Sequence, residues 1–352
     1  MKQFRTKRFP GKRLSVKHIS EGHFFRKSAL LLLALFLAVS LLPASVFAED
    51  EEEVSAADWM GQLSDSEMLS EVTIPGTNNS MARYIFPGAA LKCQGKSFEK
   101  QMEEGYRFFD IGLGIDEKKK DTKDDDRLIC RYRTGACRKG MSWFSGAITF
   151  EDTLQKAYAF LDKHQTETLL FLVKDEDEKK PEEFSKLFFD AVNENTDRWY
   201  LDNAIPALGQ ARGKIVLCNR FSSGSDTAVG GKGLYFSWEP QDNREVVDLP
   251  YTQSVISGNE KLWVQDRYRY NVAQKWDAVT DTFENCQADE ETISLNFVST
   301  RGSSSFGSHR YYSYRLNQKL NDYDLTVGTS YGIVVVDYGT AKIARHIFEV
   351  NL

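Results

Sequence analysis

The sequence predicts an α/β fold, a distorted (β/α)8 barrel in a single domain. Three observations predict it. Eight short strand-like runs recur along the chain, amphipathic helices or long loops separate them, and several runs are continuously apolar. Strands buried on both faces read that way, and alternating strands and helices build a mostly parallel sheet.

The strand-like runs are 72–74, 107–113, 128–130, 168–173, 214–218, 262–265, 293–297 and 333–336. Thr149-Phe-Glu-Asp152 is a capping-box pattern, and Leu154, Ala157, Tyr158 and Leu161 follow at helical spacing. A second helix opens with Pro181 in its first turn and buries Phe184, Leu187, Phe188 and Val192. The last follows Gly339 and presents Ile343 and Ile347 on one face. There is no internal repeat, no Pro- or Ser-rich linker and no second long apolar span.

The first 48 residues read as a signal peptide. Basic residues are scattered from Lys2 to Lys27, an apolar run of 14 residues spans 29–42, and Val46-Phe47-Ala48 is a small-residue cleavage site. A membrane-spanning helix needs about 20 apolar residues, so cleavage after Ala48 and secretion are expected. Residues 49–64 are assigned to an acidic N-terminal tail, led by Glu49–Glu53, and 65–352 to the barrel.

Residues 1–48 hold nine Lys/Arg and one Glu, so the remainder carries 36 basic against 50 acidic residues, a balance of −14. That excess argues against nucleic acid and weakens long-range attraction to anionic membranes. The five cysteines all follow residue 48, which fits an oxidising compartment. Five is odd, so one thiol stays free unless it pairs between chains. Cys130 and Cys137 lie close enough to close a small loop, Cys218 reads as a buried thiol, and partners for Cys93, Cys218 and Cys286 stay open. No C-x-x-C pair or histidine cluster signals zinc, and neither metal nor cofactor is expected.

Barrel enzymes place their sites at the C-terminal ends of the strands. In chain order those ends carry Asn78 and Asn79, Gly112, Arg131, Lys174, Arg220, Asp266 with Tyr268, Ser299, and Asp337. Arg131, Lys174 and Arg220 at one mouth of a net-acidic protein suit an anion, because guanidinium forks and ammonium groups both match phosphate.

The segment Ile74-Pro-Gly-Thr-Asn-Asn-Ser80 resembles the IPGTHDS signature of the phosphatidylinositol-specific phospholipase C catalytic (X) domain. Gln101-Met-Glu-Glu-Gly-Tyr-Arg-Phe-Phe-Asp-Ile111 resembles that family's "QL..G.R..DIR", and Leu128-Ile-Cys-Arg131 its "L..CHG". Thr166-Glu-Thr-Leu-Leu-Phe-Leu-Val-Lys174 is similar to "ET......K". Gly213-Lys-Ile-Val-Leu-Cys-Asn-Arg220, Val264-Gln-Asp-Arg-Tyr268 and Gly332-Ile-Val-Val-Val-Asp337 match three further strand ends. The seven matches stand in the family's order and cover about 65–350. Cys137 matches the second cysteine of some secreted members, which implies a Cys130–Cys137 disulfide.

In that family one histidine takes the inositol 2-hydroxyl proton, a second protonates the leaving diacylglycerol oxygen, and the DIR arginine stabilises phosphate. Proton transfer near neutral pH calls for imidazole. Here Asn78 and Asn79 stand at the first histidine and its neighbouring acid, Gly112 at the DIR arginine and Arg131 at the second histidine. Asparagine takes no proton at neutral pH and arginine gives none up. By the same resemblance Lys174, Arg220, Asp266 and Tyr268 hold the inositol ring and its phosphate, and Asp337 is the acid that orients the first histidine.

Three histidines follow residue 48. His164 and His346 read as structural, and His309 lies in a Gly/Ser-rich segment near a barrel mouth. The resemblance therefore implies a secreted, monomeric relative that binds inositol phosphate or phosphoinositide head groups as a degenerate catalyst, with peripheral membrane contact open. Trp143, Phe144, Tyr311 and Tyr312 are rim candidates. Two rivals stand beside it: an active phosphodiesterase with a rearranged site, using His309 or a metal at Asp110 or Asp337, and an interaction scaffold whose phosphate space Arg131 fills. Glycerophosphodiester phosphodiesterases need a histidine-rich metal site that the sequence lacks.

Overall fold

The computed structural model describes residues 54–352 apart from 87, 118–125, 143, 222–231 and 304–307. The expected signal peptide, the acidic stretch Glu49–Glu53 and Trp143 lie outside the described residues.

Eight parallel strands form the barrel wall: β1 (Ile74–Thr77), β2 (Phe108–Asp116), β3 (Leu169–Asp175), β4 (Ile215–Asn219), β5 (Leu234–Tyr235), β6 (Glu260–Gln265), β7 (Thr292–Phe297) and β8 (Ile333–Val336). Their ladders run β6–β7–β8–β1–β2–β3–β4–β5, with Gly112 of β2 opposite Lys174 of β3. Among the described residues no ladder joins β5 to β6; an antiparallel strand, Thr252–Ser257, pairs the outer edge of β6 instead. The barrel is distorted at that seam.

One expected barrel strand is corrected. The run 128–130 belongs to Arg127–Tyr132, which pairs antiparallel with β2 and turns back into Gly135–Cys137. An apolar run does not disclose its direction. The eighth wall strand is the two-residue β5, too short to show a pattern.

The alternation of side chains divides the core into two layers. Phe108, Leu170, Leu172, Val216, Leu295 and Val335 fill the barrel interior. Phe109, Ile111, Phe171, Val173, Leu217 and Val334 point outward against the helices. Helices are α1 (Phe98–Glu103), α2 (Phe150–Lys163), α3 (Pro181–Asn193), α4 (Leu208–Ala211), α5 (Val272–Asn285), α6 (His309–Asn321) and α7 (Ala341–Phe348). Thr149 and Asp152 close the capping box of α2, and Pro181 starts α3. Ile343 and Ile347 are the buried face of α7.

The expected tail is shorter than 49–64. Trp59 and Met60 are fully buried beneath the barrel. The Trp59 ring stacks on Phe348 at 5.1 Å, and its indole N–H donates to Gly105 O at 3.0 Å. Arg107 ties the same segment down: it donates to Ala57 O at 2.8 Å and meets the buried Glu167 carboxylate at 2.7 Å. A tryptophan and a methionine so close to an acidic run gain more from burial than the run gains from solvent.

The Cys130–Cys137 disulfide is also corrected, since all five cysteines are free and buried. The Cys130 thiol lies instead against the Thr153 hydroxyl at 3.4 Å. Burial pushes Cys130 up to about 12 and Cys137 well above the ordinary thiol value.

Candidate functional site

Each strand's inner face continues past the strand end into the mouth, where the period of two aims the next side chains inward. Leu170 and Leu172 face the interior, and Lys174 and Glu176 follow on the same side. The same count carries Ile74 to Asn78, Phe108 to Asp110, Val216 to Arg220, Val264 to Asp266 and Leu295 to Ser299. These residues line one cavity of ≈ 540 Å³. Six cationic side chains line it (Arg133, Lys174, Arg220, Arg244, Arg269, Arg301) against four carboxylates (Asp110, Glu176, Asp242, Asp266).

Lys174 Nζ lies 3.2 Å from Asp110 and 3.1 Å from Glu176. Burial disfavours its ammonium, but those two carboxylates outweigh burial and hold its pKa above the ordinary lysine value. Arg220 lays its guanidinium over the Trp238 ring, 3.4 Å from the centroid. Burial lowers its pKa, opposed by Asp266, while burial raises that of Asp266, opposed by Arg220. The Trp238 indole N–H donates to Asp266 at 3.3 Å. An aromatic plane, a fixed cation and an acceptor therefore sit side by side, the groups that a phosphorylated polyol needs.

A hydrogen-bond chain crosses the floor. Lys174 Nζ donates to Asn79 Oδ1 at 3.5 Å, Asn79 Nδ2 to Asn78 Oδ1 at 3.0 Å and Asn78 Nδ2 to Asp337 Oδ1 at 2.8 Å. The other oxygen of Asp337 meets His309 Nδ1 at 2.7 Å, and His309 Nε2 lies 3.3 Å from the Tyr132 hydroxyl. Asn79 takes the left-handed backbone, φ 42°, which its short amide tolerates. Its N–H then reaches Asp110 at 3.1 Å.

The structure brings some of the expected residues together and places others elsewhere. Asn78, Asn79, Lys174, Arg220, Asp266, Tyr268, Ser299 and His309 line one cavity. Asp337, buried behind Asn78 and His309, is occupied: His309 is what it orients. Arg131 does not join the other cations or fill the phosphate space. It pairs with Asp177 at 2.8 Å and lines a separate cavity, because its strand runs antiparallel to the wall. At Gly112 a Cβ would lie 2.5 Å from Arg131 O and 2.7 Å from the Glu176 side chain, so Glu176 fills the space of an inward side chain there. His164 sits away from the mouth, 2.6 Å from Asp58, and His346 donates to Tyr323 O at 2.9 Å. Of the rim candidates, Phe144 and Tyr311 are exposed and Tyr312 is buried, its ring packed against Gly302.

Tyr132, Arg133, Glu176, Arg269 and Arg301 are additions of the structure. Glu176 and Arg301 each stand two residues past a predicted strand-end residue, which is the signal that finds them.

Donor atoms of Cys93, His309 and Asp337 lie within 4.8 Å of one another, all buried. As it stands the set offers a metal no free imidazole nitrogen, because Nδ1 of His309 meets Asp337 and Nε2 meets the Tyr132 hydroxyl.

No family model matches the sequence. Over 330 residues the chain is 26% identical to a 1-phosphatidylinositol phosphodiesterase of Staphylococcus aureus, covering 86% of this chain and 92% of that protein. A 1-phosphatidylinositol phosphodiesterase of Listeria monocytogenes is 21% identical over 319 residues, 86% and 87% of the two chains. Among solved structures, a phosphatidylinositol-specific phospholipase C of Staphylococcus aureus superposes with a TM-score of 0.65 at 23% identity, covering 85% of this chain and 98% of the other. That of Listeria monocytogenes gives 0.62 at 20% identity, covering 85% and 100%.

Proposed function

We propose that the chain belongs to the bacterial phosphatidylinositol-specific phospholipase C family and that its barrel mouth binds the phosphorylated inositol head group of a lipid or of a free inositol phosphate, a reading supported by its likeness to the two phosphodiesterases and by the shared fold. The observation that carries this reading is the pairing of Lys174, fixed between Asp110 and Glu176, with Arg220, fixed over Trp238, in one cavity. Both cations are set before any ligand arrives, so little side-chain freedom is lost on binding. Asp266 and Tyr268 stand beside them to accept and donate to ring hydroxyls.

The two-histidine reaction of the family is closed to this chain. Asn78 and Arg131 exchange no protons, and Arg131 is turned toward Asp177. The protein thus recognises the head group and is a degenerate catalyst toward diacylglycerol esters. Export through residues 1–48 places it outside the cell; a secreted form starting near Glu49 by mass spectrometry is the corresponding result. Met141, Phe144 and Tyr311, all exposed, are where it touches a membrane peripherally.

Calorimetric titration with myo-inositol 1-phosphate tests the reading. Binding is expected, with Lys174→Met and Arg220→Met each weakening it about 10–100-fold, the scale of a charge-assisted hydrogen bond of ~1.5–3 kcal/mol. Absence of heat at millimolar ligand, or binding untouched by both substitutions, refutes it.

A further inference from the structure

We infer that Tyr132, His309 and Asp337 form a proton relay that gives the pocket one general base, directed at phosphodiesters of a vicinal diol whose leaving group departs without a proton. The inference rests on the head-group reading and adds a reaction to it.

The direction of the relay follows from its partners. Asp337 is buried, and its two carboxylate oxygens accept from Asn78 Nδ2 at 2.8 Å and His309 Nδ1 at 2.7 Å. Asn317 Nδ2 donates to its backbone carbonyl at 2.9 Å and fixes the residue further. A carboxylate only accepts, so the contact assigns a proton to His309 Nδ1, and in the neutral ring that tautomer leaves the lone pair on Nε2. That lone pair faces the Tyr132 hydroxyl at 3.3 Å. The two rings meet edge-on, 5.8 Å between centroids, and both line the cavity that holds Lys174 and Arg220. Burial, with Asp337 adding to it, raises the Tyr132 pKa well above the usual phenol value, so the group conducts a proton rather than standing as a phenolate.

The step balances with these groups alone. The diol hydroxyl beside the phosphate gives its proton to Tyr132 Oη as Tyr132 gives its own to His309 Nε2. The freed oxygen forms a bond to phosphorus, a cyclic phosphodiester closes, and the bond from phosphorus to the leaving oxygen breaks. The imidazolium, paired with Asp337, later returns its proton to solvent through Tyr132. In-line displacement puts the leaving oxygen on the far side of phosphorus from Tyr132, so the same relay cannot protonate it. Arg131 is turned away to Asp177 and gives up no proton in any case. An alkoxide is a poor leaving group without an acid, whereas a phenolate needs none. The relay therefore selects aryl over alkyl phosphodiesters.

The test compares the 4-nitrophenyl and ethyl esters of myo-inositol 1-phosphate on the intact chain. Nitrophenolate release is expected for the first, with the ethyl ester slower by about 10³-fold or more. Tyr132→Phe and His309→Ala should each lower kcat by about 10²–10⁴-fold, the usual worth of a general base, with the Kd for myo-inositol 1-phosphate within about twofold of the parent. Added imidazole should restore part of the rate to His309→Ala and none to Tyr132→Phe, which a purely structural role for the ring does not explain. Should His309→Ala fail to fold, His309→Gln keeps a donor for Asp337, lacks the base and should lose the same rate. Inositol phosphate binding without nitrophenolate release overturns the relay and leaves the head-group reading standing, as does release unchanged in the His309 variants. Loss of both binding and release overturns the two together.

Discussion

His309 Nδ1 and Asp337 Oδ2 lie 2.7 Å apart, while the second oxygen of the same carboxylate holds the Asn78 amide at 2.8 Å. One buried acid thus serves two residues 231 positions apart, as their numbers give. The family resemblance puts a histidine at 78 on that acid. Here an amide takes that place, and an imidazole reaches the acid from the start of α6.

Restoring the imidazoles at the family's positions follows from this. The combination Asn78→His, Asn79→Asp and Arg131→His should produce cyclic inositol phosphate from phosphatidylinositol, detectable by phosphorus NMR, where the parent gives none above background. Asp337 is already placed beside residue 78, so the new imidazole finds its partner without rearrangement. An inert combination that still binds myo-inositol 1-phosphate would show that the antiparallel strand holds residue 131 too far from the cavity.

Gly112→Arg cannot join that set. Even a methyl group there meets the Arg131 carbonyl at 2.5 Å and Glu176 at 2.7 Å. Gly112→Ala should destabilise the fold by about 1–3 kcal/mol, the usual cost of overpacking, and push Glu176 away from Lys174. Urea unfolding checks the first effect and weakened binding of myo-inositol 1-phosphate the second. A substitution neutral in both would mean that the strand shifts freely there.

Lys174, Arg220 and Asp266 stand one or two residues past an apolar run and Tyr268 three past it, so the period of two carries them from the sequence to the barrel mouth. Arg131 was misplaced for the converse reason: 128–130 is apolar, but apolarity does not distinguish a parallel wall strand from an antiparallel hairpin. Glu176 was hidden in the acidic run 175–178, which reads as solvated surface although Glu176 contacts a half-buried lysine. The His309–Asp337 contact joins a loop end to a strand end across 28 positions, and no local pattern encodes such a meeting. Trp59 and Met60 carried a core signal that the neighbouring acidic run obscured.

The Arg107–Glu167 pair is a second structural commitment, with both side chains wholly buried and 2.7 Å apart. Arg107 also donates to the carbonyls of Met102, Tyr106, Ala56 and Ala57, so it fastens the N-terminal segment beneath the barrel. Glu167→Gln leaves that guanidinium buried without its counter-charge and should cost about 3–5 kcal/mol. Thermal unfolding measures it. The double variant Arg107→Met, Glu167→Leu should be less damaging than the single one, because it removes both charges together. Equal damage would assign the loss to the carbonyl contacts instead.

Lys275 offers a pH-dependent test independent of the mouth. It is fully buried on α5, and its Nζ donates to Gln265 Oε1 at 2.7 Å. Burial lowers its pKa from 10.5 to about 7, against the opposing pull of Asp266 and Asp337. Between those two values the unfolded chain binds a proton that the folded chain does not, so this group makes stability rise with pH. The rise is about 1.4 kcal/mol per pH unit while the difference is complete, and it vanishes below about 7 and above about 10.5. Lys275→Met removes the charge and retains the stem, and Gln265 Oε1 keeps the Arg267 N–H at 2.8 Å. The variant should therefore be more stable than the parent by a few kcal/mol near neutral pH. The two should converge as pH approaches 10. Urea midpoints of both proteins at pH 6, 7, 8, 9 and 10 measure the difference directly, cancelling every other titrating group. Parallel curves across that range would mean that Lys275 stays protonated in the folded protein, with its charge compensated by Asp266 and Asp337.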